Sequence, residues 1–178
     1  MTLPKIVSTE PLFSGPAFDI HRETVEFDEN RRFERDILKH PGAVVIVPMI
    51  ADQRFIMLRQ YRHALREFIL EFPAGTLEPN EDPLVCAKRE LIEETGYAAS
   101  EWKDLGTLYP APGFCNEIQY CYLASNLSPA HANKDEDEII ESLELSRDEI
   151  EAYIKNNQLR DAKSIALLLR LDIYQGAR

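Results

Sequence analysis

The chain of 178 residues, 44% hydrophobic and 29% charged, has the balance of one globular domain, which excludes a disordered or a fibrous protein. Twenty lysines and arginines against 31 aspartates and glutamates leave a net charge of −11, a field that repels a phosphate backbone and sets nucleic acid aside as a main partner. A small anionic substrate stays open, because a metal ion or a local arginine cluster reverses the sign at one site.

The N-terminal stretch "MTLPKIVSTEPLFSG" lacks a basic segment followed by an apolar one, and the longest apolar run, "AVVIVPMIA", is far too short to span a bilayer. No membrane partner and a cytoplasmic location are therefore expected. Cys86, Cys115 and Cys121, which form no metal-spaced pattern, fit a reducing compartment. "FDIHRETVEFDENRRF" alternates roughly about the turn signal "DEN" and predicts a hairpin, after which "FERDILKHPGAV" continues extended. "AVVIVPMI" is β-branched and almost wholly apolar, the pattern of a strand covered on both faces; "RFIMLRQY" and "EFILEF" are the next two strands.

Asp82 to Thr95 predicts a helix. Asp82 is a good N-cap, Pro83 suits the first helical position, and Gly96 stands where a left-handed residue ends the helix. Beyond it come "DLGTLYP", the loop "APGFCN", and the strand "EIQYCYLAS" with Ile118, Tyr120 and Tyr122 alternating. An acidic loop, "NKDEDE", precedes the strand "IIESLEL". Ser146 and Glu149 form a capping box for a short helix, and Asp161 opens a last one, "DAKSIALLLRLDIY".

On the central helix, Glu90, Glu93 and Glu94 fall within an arc of roughly 100°, beside an apolar stripe of Leu84, Ala87 and Leu91. Like charges at these spacings cost an isolated helix a few tenths of a kcal/mol per pair, so the face needs solvent or a cation. Hard divalent ions take carboxylate and carbonyl oxygens, which this face offers, and Arg89 lies four residues before Glu93, within ion-pair reach. For a lone cluster of glutamates on a helix, a solvated acidic face is the commoner meaning. The spacing decides between them: Gly75, five residues, Glu81, seven residues, Arg89-Glu90-Leu91, one residue, Glu93-Glu94, one residue and Gly96.

That pattern reproduces the Nudix box, with Tyr97 in place of the usual aliphatic residue, and the chain resembles the Nudix hydrolases. The resemblance implies an α/β fold, the Nudix α/β/α sandwich with a mixed sheet. It also implies hydrolysis of a nucleoside diphosphate linked to another group, with Mg²⁺ or Mn²⁺ as cofactor. It makes Glu90 and Glu94 the principal metal ligands, Glu93 a sharer of a metal or its waters, and the Ala74 carbonyl a backbone ligand. Arg89 would orient the carboxylates and Glu81 would brace the loop.

Pro112, sixteen residues after Gly96, together with "HPGAV", "RQYRHALREFILEFPAG", "DEDEIIE" and "DAKSIALLL", resembles the ADP-ribose pyrophosphatase subfamily. That likeness implies a small-molecule nucleotide-sugar substrate, with Arg62 on phosphate, Glu71 accepting hydrogen bonds from the nucleotide, and Pro112-Gly113 shaping the loop beside the terminal ribose. Arg35 would reach the site of a second subunit in a homodimer. Glu138 in the acidic loop would be the catalytic base, or Glu136 if the register shifts. The expected organisation is an N-terminal β extension for dimerisation, 1–40, and a Nudix hydrolase domain, 41–178. GDP-mannose or a UDP-sugar as substrate, and a non-catalytic ADP-ribose sensor, remain as alternatives. His40, His63 and His131 have no second ligand at metal spacing and receive no role.

Overall fold

A computed structural model describes residues 3–16, 18–28, 31–50, 53–131 and 139–176. They divide into two units, Met1–Gly42 with Tyr109–Ile118, and Ala43–Leu108 with Gln119–Arg178.

The first unit holds an antiparallel sheet of β1 (Lys5–Ser14), β2 (Asp19–Asp28) and β3 (Arg31–Lys39), in that order. The expected hairpin is its β2–β3 half; β1, which the sequence reading did not anticipate, adds a third strand. β1 alternates poorly and carries Pro11, which donates no backbone hydrogen bond and lies at a register break between Pro11 and Phe13 on an edge strand, where proline is tolerated. Cross-strand pairs stitch β2 to β3: Arg22 to Asp36 at 2.7 and 2.9 Å, Arg32 to Glu26 at 2.7 Å, and Lys39 to Glu23 at 2.5 Å. The segment Tyr109–Ile118 docks on β3, with Leu38 donating to the Phe114 carbonyl at 2.8 Å and accepting from Asn116 at 3.2 Å.

The second unit is built on a seven-stranded mixed sheet. Its path runs β10 (Ile140–Ser146), β5 (Arg54–Arg62), β4 (Ala43–Ile50), β9 (Gln119–Pro129), β8 (Tyr97–Leu108). β4 and β9 pair in parallel, and the remaining described pairs are antiparallel. β8 starts directly after the helix at Tyr97, earlier than "DLGTLYP" suggests, because "YAASEW" shows no period-2 pattern.

The strands are apolar on both faces because helices cover both. Val45, Val47, Cys121 and Leu123 pack in one cluster with Ile150 of α2 (Arg147–Lys155) and Leu167, Leu168 and Leu171 of α3 (Ala162–Gln175). Val44, Ile46 and Ala124 pack in the other with Cys86, Ala87 and Leu91 of α1 (Pro83–Thr95). This is an α/β/α arrangement. Tyr120 and Tyr122 lean on the α1 cluster while Cys121 and Leu123 point to the opposite one, so β9 is covered on both faces rather than on the tyrosine face alone.

One irregularity positions the site. Among the described residues β4 pairs with β5 only at Met49–Phe55 and Ile50–Arg54, and towards Ala43 the strands part. β6 (Glu67–Glu71) takes over the edge of β5, and β7 (Ala74–Thr76) takes the edge of β4 from Val45–Ala74 to Ala43–Thr76. The chain crosses at Phe72-Pro73, where the Pro73 carbonyl accepts from Ile46 at 2.9 Å. Ala74 and Gly75 are thereby set on the sheet beside α1. The caps of α1 are those its sequence predicts: Asp82 accepts from Leu84 and Val85, and Gly96, at φ 75°, donates to Ile92.

Candidate functional site

The polar face of α1 converges on one guanidinium. Arg89 donates through Nη1 to Glu90 at 2.7 Å and Glu93 at 2.9 Å, and through Nε and Nη2 to the two oxygens of Glu81 at 3.1 Å each. Glu81 also accepts from the Glu78 backbone N–H at 2.9 Å, which ties the loop between β7 and α1 to the helix. The Arg89 hydrogen bond, supported by that of Glu78, holds the Glu81 carboxyl at about 2 against an ordinary 4.5. The bond to Glu81, with the charges of Glu90 and Glu93 beside it, pushes Arg89 well above its ordinary value against the cost of burial.

The remaining ligands expected on this face lie against β7. Glu94 is only 2% exposed and accepts from the Ala74 N–H at 3.0 Å. Gly75 is required by close approach: a Cβ there would stand 1.9 Å from Glu90 Cδ. Ala74, Gly75, Glu90, Glu93 and Glu94 therefore come together: Glu81, Glu90 and Glu93 share a single arginine, and Glu94 lies on the Ala74 N–H beside them. Such an excess of hard oxygen donors in a half-buried setting fits a divalent cation in charge and chemistry. Among the described residues no three such side chains already converge on one point, and Arg89 holds Glu90 and Glu93 instead. Cys86, beneath this face, is buried, and burial with the neighbouring Glu90 pushes its thiol up to about 12; it packs rather than reacts.

A second cluster lies where β6 ends. Arg62 grips Glu71 with two hydrogen bonds, at 2.8 and 2.9 Å, and Lys163 donates to the same carboxylate. Lys163 also pairs with Asp161 at 3.1 Å, and Ser164 Oγ accepts from the Phe72 N–H at 2.7 Å while donating to Asp161 at 2.6 Å. Glu71 is fully buried and Arg62 is 38% exposed, so the carboxylate expected to meet a nucleotide spends both oxygens on protein cations while the guanidinium faces outward. Burial works against the Arg62 charge, but Glu71, aided by Glu94 and Asp161, more than offsets it and raises the pKa. Lys163 and Ser164 were not singled out from the sequence; the stretch "DAKSIALLL" contains them, but their partners lie about ninety residues away.

Arg35, Pro112 and Gly113 belong to the first unit. Arg35 is exposed on β3, with its guanidinium 4.3 Å from the Phe33 ring centre. Pro112 and Gly113 are exposed on Tyr109–Ile118, and a Cβ at Gly113 would meet nothing within 4 Å. Glu138 and Glu136 lie outside the described residues. His40 accepts from the Gly42 N–H, His63 packs edge-on to Tyr61, and His131 is exposed.

The family model for the Nudix domain matches residues 39–168. The chain belongs to the Nudix family. This Nudix chain is 37% identical over 176 residues, 98% of its length and 95% of the relative's, to a methanol dehydrogenase activator of Bacillus methanolicus. It is 37% identical over 174 residues, 97% of its length and 94% of the relative's, to an ADP-ribose pyrophosphatase of Bacillus subtilis strain 168. A crystal structure of an ADP compounds hydrolase matches it with a TM-score of 0.86, covering 99% of this Nudix chain and 96% of the other. At 22% identity that likeness concerns the fold.

Proposed function

We propose that this Nudix protein hydrolyses the pyrophosphate of ADP-ribose, or of a related nucleoside diphosphate sugar, to a nucleoside monophosphate and a sugar phosphate. The observation that carries the reading is the carboxylate face of α1 closed against Ala74 and Gly75, in a chain similar over nearly its whole length to an ADP-ribose pyrophosphatase.

Glu90, Glu94 and the Ala74 carbonyl would hold Mg²⁺ or Mn²⁺, with Glu93 sharing; when bound, the ion offsets the diphosphate charge and lowers the pKa of a water. The chain's own residues do the rest. Arg89 keeps Glu90 and Glu93 aligned, and Glu81 keeps Arg89 in place. Arg62, pinned by Glu71 behind it, presents a fixed guanidinium to a phosphate oxygen. Glu138 accepts the proton of the attacking water. Pro112 and Gly113 border the sugar end. The homodimer reading draws support from β1, whose Ile6, Val7, Leu12 and Phe13 are 59, 46, 43 and 51% exposed; in such a dimer Arg35 reaches the other subunit's site.

Incubation of the purified protein with ADP-ribose, GDP-mannose and UDP-sugars in Mg²⁺ or Mn²⁺, with product identification, tests the reading. AMP and ribose 5-phosphate as the fastest-formed pair is the expected result. Faster cleavage of GDP-mannose would move the assignment to that substrate, and tight ADP-ribose binding with no phosphate ester released would make the protein a sensor.

A further inference from the structure

On the face of the second unit opposite α1, the end of the β5–β6 ladder and the α2–α3 connection enclose a cavity of about 470 Å³. Its floor, Leu70, Leu143 and Tyr153, belongs to the cluster beneath α2 and α3, whereas α1 closes the other cluster. The carboxylate site is therefore not part of it.

The walls have an unusual charge pattern for a chain of net charge −11. The Arg59 guanidinium lies 5.6 Å from the centre of the Phe68 ring, which is 47% exposed, and makes no ion pair among the described residues. Glu141 is its cross-strand neighbour, but the two are not in ion-pair contact. Arg160, on the other wall, is held by Glu67 at 2.7 Å, so that carboxylate is already neutralised. An arginine stacked on an aromatic ring keeps its fork of donors in one plane and free of carboxylate, which suits a phosphate better than a solvated lysine would. The apolar floor suits a flat base, and the exposed Asn157 and Gln158 at the rim supply donors and acceptors for its edge. The volume lies in the range of small-molecule sites.

We propose that this cavity is a second binding site, for a nucleoside monophosphate, with Arg59 on the phosphate and Leu70, Leu143 and Tyr153 under the base. The site does not depend on the hydrolytic reading. Where both hold, the ligand is of the same class as one product, and its binding would report product level from the face opposite the carboxylates.

Titration of the whole 178-residue chain with AMP, free of divalent metal, followed by calorimetry and by methyl NMR of Leu70 and Leu143, tests the assignment. In the wild type, AMP should shift both methyl sets, and R59Q should weaken that response by roughly tenfold or more. F68A should weaken it as well, while R62A, altered in the other cluster, should leave it intact. Unchanged AMP affinity at these methyls in a folded R59Q variant, or a response confined to the α1 cluster, would overturn the proposal. So would equal competition by inorganic phosphate, which would reduce the site to an anion contact.

Discussion

Gly75 shows how a single residue ties sequence to chemistry. Its place is fixed by contact with Glu90, not by an unusual backbone angle, so a methyl group at 1.9 Å must displace that carboxylate. Gly75→Ala should leave the protein folded but cut kcat by roughly 10²-fold, measured with ADP-ribose in saturating Mg²⁺. Gly113 is the opposite case, with open space around it. Gly113→Ala should leave the melting temperature unchanged, and a changed KM at constant kcat would place the loop against substrate. Glu81 carries a pH signature. Its carboxyl is held at about 2 by Arg89, below the ordinary 4.5, so its contribution to stability is fully present above pH 4.5 and is lost as pH falls towards 2. Glu81→Gln should therefore flatten the fall in melting temperature between pH 5 and pH 3; an unchanged acid limb would show that the bond to Arg89 is not maintained in solution.

At the scale of elements, α1 was legible because its information is local. Cap, proline and terminal glycine all lie within a residue of its ends, and its carboxylates read off a fixed helical spacing. Asp82→Ala should cost about 1 kcal/mol of stability, seen in urea denaturation, since Asp82 satisfies two orphan N–H groups. β7 was not legible: three residues carry no period, and the strand exists only because β4 and β5 part and leave an edge free. β1 was missed because its side chains are exposed and show no alternation. The site divides in the same way. The residues of one helix and its loop could be read from spacing, whereas the grip of Lys163 and Ser164 on Glu71 and Phe72 joins α3 to β6 across the core and leaves no pattern in the chain.

For the whole molecule, charge sets the terms. A net charge of −11 opposes an anionic substrate, and around Arg89 one cation faces three paired carboxylates, so binding a diphosphate demands added positive charge. Chelation with EDTA should abolish turnover, and Mg²⁺ should restore it. The exposed apolar side chains of β1 argue for self-association; light scattering should return twice the chain mass of 20.5 kDa, and a Phe13→Glu variant should shift it towards the monomer. The central claim, that the α1 carboxylates carry metal-dependent pyrophosphate hydrolysis, is tested most directly by Glu90→Gln. With folding confirmed by circular dichroism and ADP-ribose as substrate in Mg²⁺, kcat should fall by roughly 10²-fold or more while AMP and ribose 5-phosphate remain the wild-type products; near-normal turnover by the variant would contradict it.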